Sequence, residues 1–259
     1  MKIFVLAENQ SGPDTPAEHG LSYLIEVDGK RILFDTGQGD LFVRNAATMN
    51  VGLESIDAIV LSHGHFDHGN GLEHLEGGRL ICHPGCFVKR YREADSSYIG
   101  LKNTKEELEN RFDLITSATP YNISDKVIFL GEIPRVTSFE SKSTYFIHAN
   151  GNPDFVIDDS ALALILQEGL FVVTGCGHSG IVNTLKHAAM VTGIDRIYGI
   201  MGGFHLKEND LQTRETISYL NDKGVSHVLP SHCTSGPALQ AFRTAFGSPE
   251  VVTGSIFEF

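Results

Sequence analysis

Basic residues are scarce: 20 Lys and Arg stand against 32 Asp and Glu, for a formal net charge of −12. That balance disfavours wrapping nucleic acid or lying on an anionic membrane, although a local basic patch can still hold a small anion. Long apolar runs are missing too, and none reaches membrane-spanning length. The opening Met1–Leu6 is too short for a signal-peptide core, and Glu8 and Asn9 interrupt it at once. Cysteine is sparse, with four in the chain. Cys176 and Cys233 stand close to histidines, which points to reduced thiols and a cytoplasmic setting. Cys82 and Cys86 have no second pair to complete a zinc knuckle, so they read as packing. There is no low-complexity tract and no tandem array. The partner these exclusions leave is a small molecule; the sequence is also compatible with a homo-oligomer.

What is present is an ordinary globular balance, 41% hydrophobic and 20% charged, in 259 residues. The chain is organised around Leu61-Ser62-His63-Gly64-His65-Phe66-Asp67-His68-Gly69-Asn70-Gly71. It follows Ile56–Val60, which reads as a buried strand. Side chains two apart on extended backbone point the same way, so His63 and His65 can close on one cation. Asp67 and His68 come after the strand ends, where the chain can curl back. Imidazole and carboxylate together suit zinc, iron or manganese, and Gly64, Gly69 and Gly71 permit the tight backbone that a ligand loop needs. The alternative is a His-rich surface loop, which the preceding apolar strand argues against.

In chain order, Lys2–Glu8 alternates as a strand, and Leu21–Val27 and Arg31–Asp35 pair through Asp28-Gly29. Asp35, at a strand exit, is a turn former or a group that orients an imidazole. Asp40–Asn50 suits a helix capped by Asp40, a helix opens near Asn70-Gly71, and Arg79–His83 is the next strand. Residues 87–119 hold the one basic-aromatic stretch, with Lys89, Arg90, Tyr91, Arg92, Tyr98 and Lys102 ahead of a charged helix from Thr104 to about Arg111. It is a solvated insertion or a substrate-covering lid, with Lys89 and Arg90 facing substrate in the second case. Lys126–Leu130 and Thr144–His148 read as strands of the second half. Ala161–Leu166 pairs with Leu170–Thr174, which runs into Gly175-Cys176-Gly177-His178-Ser179-Gly180 and a helix. This strand-to-helix unit repeats the logic of the first, with Cys176 matching His63 and His178 matching His65. The helix start, including Ser179, offers backbone N–H groups as an anion seat. Arg196–Met201 ends in Gly202-Gly203-Phe204-His205, and Val225–Pro230 ends in Ser231-His232-Cys233-Thr234. A helix spans Glu208–Lys223, another spans Gly236–Phe246, and Val251–Phe259 is an edge strand. Every candidate ligand falls just past a strand, where α/β folds gather their chemistry.

His63-x-His65-x-Asp67-His68 resembles the signature of the metallo-β-lactamase superfamily. The resemblance implies an α/β fold, a four-layer αβ/βα sandwich, as a single domain over residues 1–259 with a lid or insertion at about 87–119. Net charge sets aside the RNA-cutting members. It implies one or two divalent ions, zinc foremost and iron, manganese or magnesium as alternatives, with His63, His65 and His178 on one and Asp67, His68 and His232 on the other. Many members carry a bridging aspartate after Thr-Gly; here Cys176 follows Thr174-Gly175. Three roles stay open for Cys176: thiolate ligand, unbound neighbour, or the cause of a weakly held second ion. An aspartate at the place of Asp35 favours the outer-shell role. A bound ion lowers the pKa of water toward neutrality, and Asp67 is expected among the catalytic groups.

Glu18–Ser22, His63–Gly71, Gly175–His178, Gly202–His205 and Pro230–Thr234, the last with Ser235 where glycine is usual, are similar to a subgroup of this superfamily. Its members are called metal-dependent hydrolases, or synthases that join a dihydropterin pyrophosphate to a ribofuranosylaminobenzene phosphate. The expected function is therefore water activation against a small phosphorylated or ester-bearing substrate. The alternatives are that transferase and a non-catalytic metal- or ligand-binding protein. His205 is needed for neither ion and is expected to line the pocket as hydrogen-bond donor or general acid, the alternative being a capping or core histidine. His19 is a weaker candidate for the same role.

Overall fold

The computed structural model describes all 259 residues. The chain opens with β1 (Lys2–Ala7), β2 (Ser22–Val27) and β3 (Lys30–Phe34). Asp28 (φ 53°) and Gly29 (φ 70°) both take positive φ, the condition for the two-residue turn that matches strand twist. Next come α1 (Leu41–Thr48), β4 (Ala58–Val60), the single turn α2 (Phe66–Gly69) and β5 (Arg79–Cys82). Asp40 stands at the start of α1 but makes no side-chain cap; its carboxylate pairs instead with Arg44 at 3.0 Å. The remaining elements are β6 (Arg90–Arg92), α3 (Lys105–Glu109), β7 (Asp113–Thr116), β8 (Tyr121–Ser124), β9 (Val127–Phe129), β10 (Phe146–His148), β11 (Ala161–Leu166), β12 (Gly169–Thr174), α4 (Ile181–Thr192), β13 (Ile197–Gly203), α5 (Leu211–Asp222), β14 (His227–Ser231), α6 (Gly236–Phe246) and β15 (Ile256–Glu258).

These elements form an α/β fold with two mixed sheets flanked by helices, divided into two compact units. The first unit contains residues 1–118, 144–154 and 252–259. Its sheet runs β15-β1-β2-β3-β4-β5-β7, antiparallel through β3 and parallel from β3 to β7. Leu24, Leu33, Phe42, Ile59, Leu61, Leu80 and Leu108 are buried in one core with Cys82 and Cys86, which is the packing role expected of that pair. The second unit contains residues 119–143 and 155–251, with its sheet in the order β14-β13-β12-β11-β9-β8. Here β12, β13 and β14 are parallel neighbours, so their C-terminal ends lie side by side. Its core joins Leu170, Val172, Ile181, Leu185, Ile200, Phe204 and Phe242.

Two segments depart from the sequence reading. Thr144–His148 is not a strand of the second half: β10 pairs only with β6, as a two-stranded ribbon within the first unit. A buried ion pair holds it there, Arg90 Nε lying 3.2 Å from Asp154 Oδ2 with both side chains about 1% exposed. Within residues 87–119, Asp113–Thr116 is a strand of the main sheet, paired with β5. Its half-buried, mixed polarity hid it from pattern reading. The charged helix is present as expected, with Thr104 and Glu107 forming a reciprocal capping box.

Candidate metal centre

In the first unit, β3 and β4 are parallel neighbours and both end at the site. Leaving β3, Asp35 turns with φ 57° and is completely buried. Leaving β4, the chain presents Ser62, His63 and His65, then winds into α2 so that Asp67 and His68 return toward the same place. That turn leads directly into a 3-10 helix over Asn70–His74, where a helix was expected to open. The loop is pinned by its backbone: Thr36 N donates to His68 O at 2.7 Å, Leu21 N to Asp67 O at 3.2 Å, and Gly71 N to Gly37 O at 3.1 Å. Glycine is required at position 64, where a Cβ would lie 2.7 Å from Cys86 Cα.

The three imidazoles are buried, with His63 in contact with both others, centred 4.5 Å from His65 and 4.3 Å from His68. Asp35 organises two of them. Its Oδ1 accepts from Ser62 N at 2.7 Å, and its Oδ2 lies 2.7 Å from both Ser62 Oγ and His68 Nδ1. Ser62 Oγ in turn stands 2.8 Å from His63 Nδ1. A hydroxyl has one proton; given to the ionised Asp35, it leaves Oγ to accept from His63 Nδ1–H. His63 and His68 then both carry their lone pair on Nε2. Burial pushes the Asp35 carboxyl above its ordinary range, opposed by His68 and by the hydrogen bonds from Ser62.

His63 Nε2 and His65 Nδ1 face each other at 2.9 Å. A tetrahedral zinc with bonds near 2.0–2.1 Å spaces two nitrogens by about 3.3 Å. The pair needs to open by only a few tenths of an ångström, so the donor set fits a divalent ion. Asp67 Oδ2 lies 3.1 Å from His19 Nε2 and 3.8 Å from His68 Nε2. The His19 side chain is 58% exposed, able to meet a solute.

The second unit delivers its groups from three adjacent strand ends: Cys176 and His178 after β12, His205 after β13, and His232 and Cys233 after β14. His205 (φ 49°) and His232 (φ 50°) both take the left-handed backbone that non-glycine residues rarely adopt, a form of strain that gathers at functional sites. The His178 and His205 rings are 4.4 Å apart. Donor atoms of Cys176, His232 and Cys233 lie within 4.8 Å of one another.

Several expected contributors are otherwise engaged. The amides of α4 are not an open anion seat: Glu140 reaches across from residues 119–143, its Oε1 accepting from Val182 N at 2.8 Å and its Oε2 from Asn183 N at 2.9 Å. Ser179 is buried, and its N–H donates to Asp159 Oδ2 at 2.8 Å. Burial raises the Asp159 carboxyl to about 6, against the pull of the Ser179 amide. Arg90, expected beside substrate, is buried against Asp154 instead, because a guanidinium taken out of water needs a carboxylate partner. Lys89 is exposed. Sequence reading passed over Ser62, Asp159 and Glu140. Ser62 was the legible one, directly preceding the motif; the two carboxylates are distant in sequence from what they bind.

Residues 15–82 match the family described as Metallo-beta-lactamase superfamily. A curated relative from Methanocaldococcus jannaschii, 7,8-dihydropterin-6-methyl-4-(beta-D-ribofuranosyl)-aminobenzene-5'-phosphate synthase, is 35% identical over 95% of this chain and 92% of its own. A second protein of that organism, the uncharacterized MJ0448, is 35% identical over 92% of each chain. Among solved structures, Tm1679, a metal-dependent hydrolase of the beta-lactamase superfamily, is 30% identical with a TM-score of 0.88, covering 100% of this chain and 99% of its own.

Proposed function

This chain belongs to the metallo-β-lactamase superfamily, and we propose that within it the protein is a metal-dependent hydrolase of a small phosphorylated or ester-bearing molecule. The observation that carries the reading is the facing pair His63 Nε2 and His65 Nδ1, held from behind by Ser62 and Asp35. In this reading His63, His65 and His178 hold one ion, and Asp67, His68 and His232 hold a second. A divalent ion there supplies Lewis acidity, making water nucleophilic near neutral pH.

The chain's own groups do the rest. Asp35 and Ser62 keep the His63 and His68 protons on Nδ1, so that Nε2 points forward as a donor. Asp67 Oδ2, beside His19 Nε2 at 3.1 Å, receives the proton that the attacking water loses. His205, next to His178, donates a hydrogen bond or a proton to the departing oxygen. Exposed His19 and Lys89 face an anionic substrate.

A second reading is favoured by one observation, the 35% identity across 95% of the chain to a pterin-linking synthase. In it the same groups assist departure of pyrophosphate from a dihydropterin as the aminobenzene phosphate attacks.

Metal-loaded protein assayed on ester, thioester, lactone and phosphodiester panels, and separately on the paired pterin and aminobenzene substrates, decides between them. Hydrolysis of one panel class supports the first reading. Pyrophosphate release only when both pterin-pathway substrates are present supports the second. Full metal loading with neither activity contradicts both and leaves a metal- or ligand-binding protein.

A further inference from the structure

We infer that the second unit carries a sulfur-bearing cation site made by Cys176, Cys233 and His232, which selects a thiophilic ion such as zinc, cobalt or iron(II) over magnesium or manganese. The inference rests on the reading above in one respect: the ion is the second one of that reading, the ion assigned to His232. It goes further by adding Cys233 and by giving Cys176 a definite role.

The placement begins with the backbone. Strands β12, β13 and β14 pair in parallel, with Thr174 opposite Gly202 and Gly203 opposite Ser231. The residues that follow β12 and β14 can meet only if nothing stands on β13 between them. Gly202 and Gly203 fill that position: a Cβ on Gly203 would sit 2.6 Å from Cys233 Sγ and 3.1 Å from Cys176 Cα. Glycine here lets two thiols approach across an intervening strand.

The three donor atoms lie within 4.8 Å of one another. Tetrahedral zinc with Zn–S bonds near 2.3 Å spaces two sulfurs by about 3.8 Å, so the cluster closes on an ion with shifts of about an ångström. Side-chain rotation of Cys233, which is partly exposed, can supply this. A hydrogen bond to the ligand sulfur is already formed, His205 N donating to Cys233 Sγ at 3.2 Å. An N–H directed at sulfur favours the thiolate form. The Cys233 thiol donates to Cys176 O at 3.4 Å. Ion binding releases one proton from each thiol to solvent, removes that S–H bond and keeps the one from His205. Thiolate ligands are soft, which gives the ion preference. Packing alone accounts for Cys82 and Cys86, which are buried in the apolar core of the first unit, but not for two cysteines paired with a histidine at two strand ends.

Cobalt(II) titrated into the full-length, metal-free chain tests this directly. The expected result is a sulfur-to-cobalt charge-transfer band in the near ultraviolet, diminished in both C176S and C233S and retained in H63A/H65A, whose changes lie in the first unit. Zinc, but not magnesium, should also slow alkylation of Cys233 by iodoacetamide at least tenfold in the unmutated protein, a readout that needs no variant to fold. Cobalt bound in full with no such band, or a band indifferent to C233S or lost in H63A/H65A, would overturn the inference while the metal centre of the first unit stands. Protein that binds no cobalt at all would remove both.

Discussion

Asp35 Oδ2 lies 2.7 Å from His68 Nδ1, joining two fully buried side chains 33 residues apart in sequence. The same oxygen takes the Ser62 hydroxyl, which orients His63. One carboxylate thus fixes the face that two imidazoles present. Outer-shell partners of this kind typically contribute about 10–100-fold in metal affinity. D35N should weaken zinc binding by about that factor in a chelator competition, and S62A by less, because S62A releases only His63. Affinity unchanged in D35N would show that the imidazoles are oriented by packing instead.

Gly64 sets a steric condition on the same loop, since any side chain there meets the backbone of Cys86. G64A should lower bound zinc per chain, measured by elemental analysis after gel filtration, while leaving the far-ultraviolet circular dichroism close to that of the parent. Undiminished stoichiometry would mean that the loop binds metal in a looser form than the one seen.

The buried Arg90–Asp154 pair anchors the β6–β10 ribbon. Removing Arg90 leaves the buried Asp154 carboxylate with only the half-exposed His148 imidazole, 3.7 Å away, beside it, at a cost of about 3–5 kcal/mol. R90M should lose stability on that scale in urea denaturation, and R90M/D154L should recover most of it. A loss below about 1 kcal/mol would contradict a buried, charged pair.

Asp159 makes stability depend on pH. Its folded value, about 6, stands above the ordinary 3.8, so the neutral form is favoured in the folded chain. The contribution is present below about pH 4 and is lost as pH rises through about 6, an effect on the order of 2–3 kcal/mol. Metal-free protein compared with D159N, which cannot ionise, should lose ground to the variant between pH 4 and 6 and hold a constant difference above that. A difference flat with pH would show that the Ser179 amide compensates the burial in full.

The legibility of these features follows their distance in sequence. His63 to His68 declare themselves because donors two apart on a strand and a turn later are a local pattern, and the preceding Ala58–Val60 is uniformly buried. Strand ends at Asp35, Cys176, His205 and His232 could be read for the same reason: each closes an apolar run. The Glu140 carboxylate on the α4 amides could not be read, because the contact spans 42 residues and nothing local distinguishes Glu140 from a surface acid. Arg90 looked like a surface cation for a similar reason, its partner being supplied by a distant loop. Asp113–Thr116 and Tyr121–Ser124 are short, half-buried strands whose alternation is too weak to separate from loop. The motif-like pair His232-Cys233 was visible, but only the parallel β12–β13–β14 arrangement brings Cys176 to it.

In the proposed allocation, His63 and His178, carried by separate stretches of the chain, hold the same ion. Zinc stoichiometry and affinity measured on the parent, H63A and H178A test it most directly. The expected result is tight zinc uptake by the parent and loss of the same ion in both variants, each with native circular dichroism. Parent protein that stays metal-free in excess zinc and manganese, or H178A that binds zinc as the parent does, would contradict it.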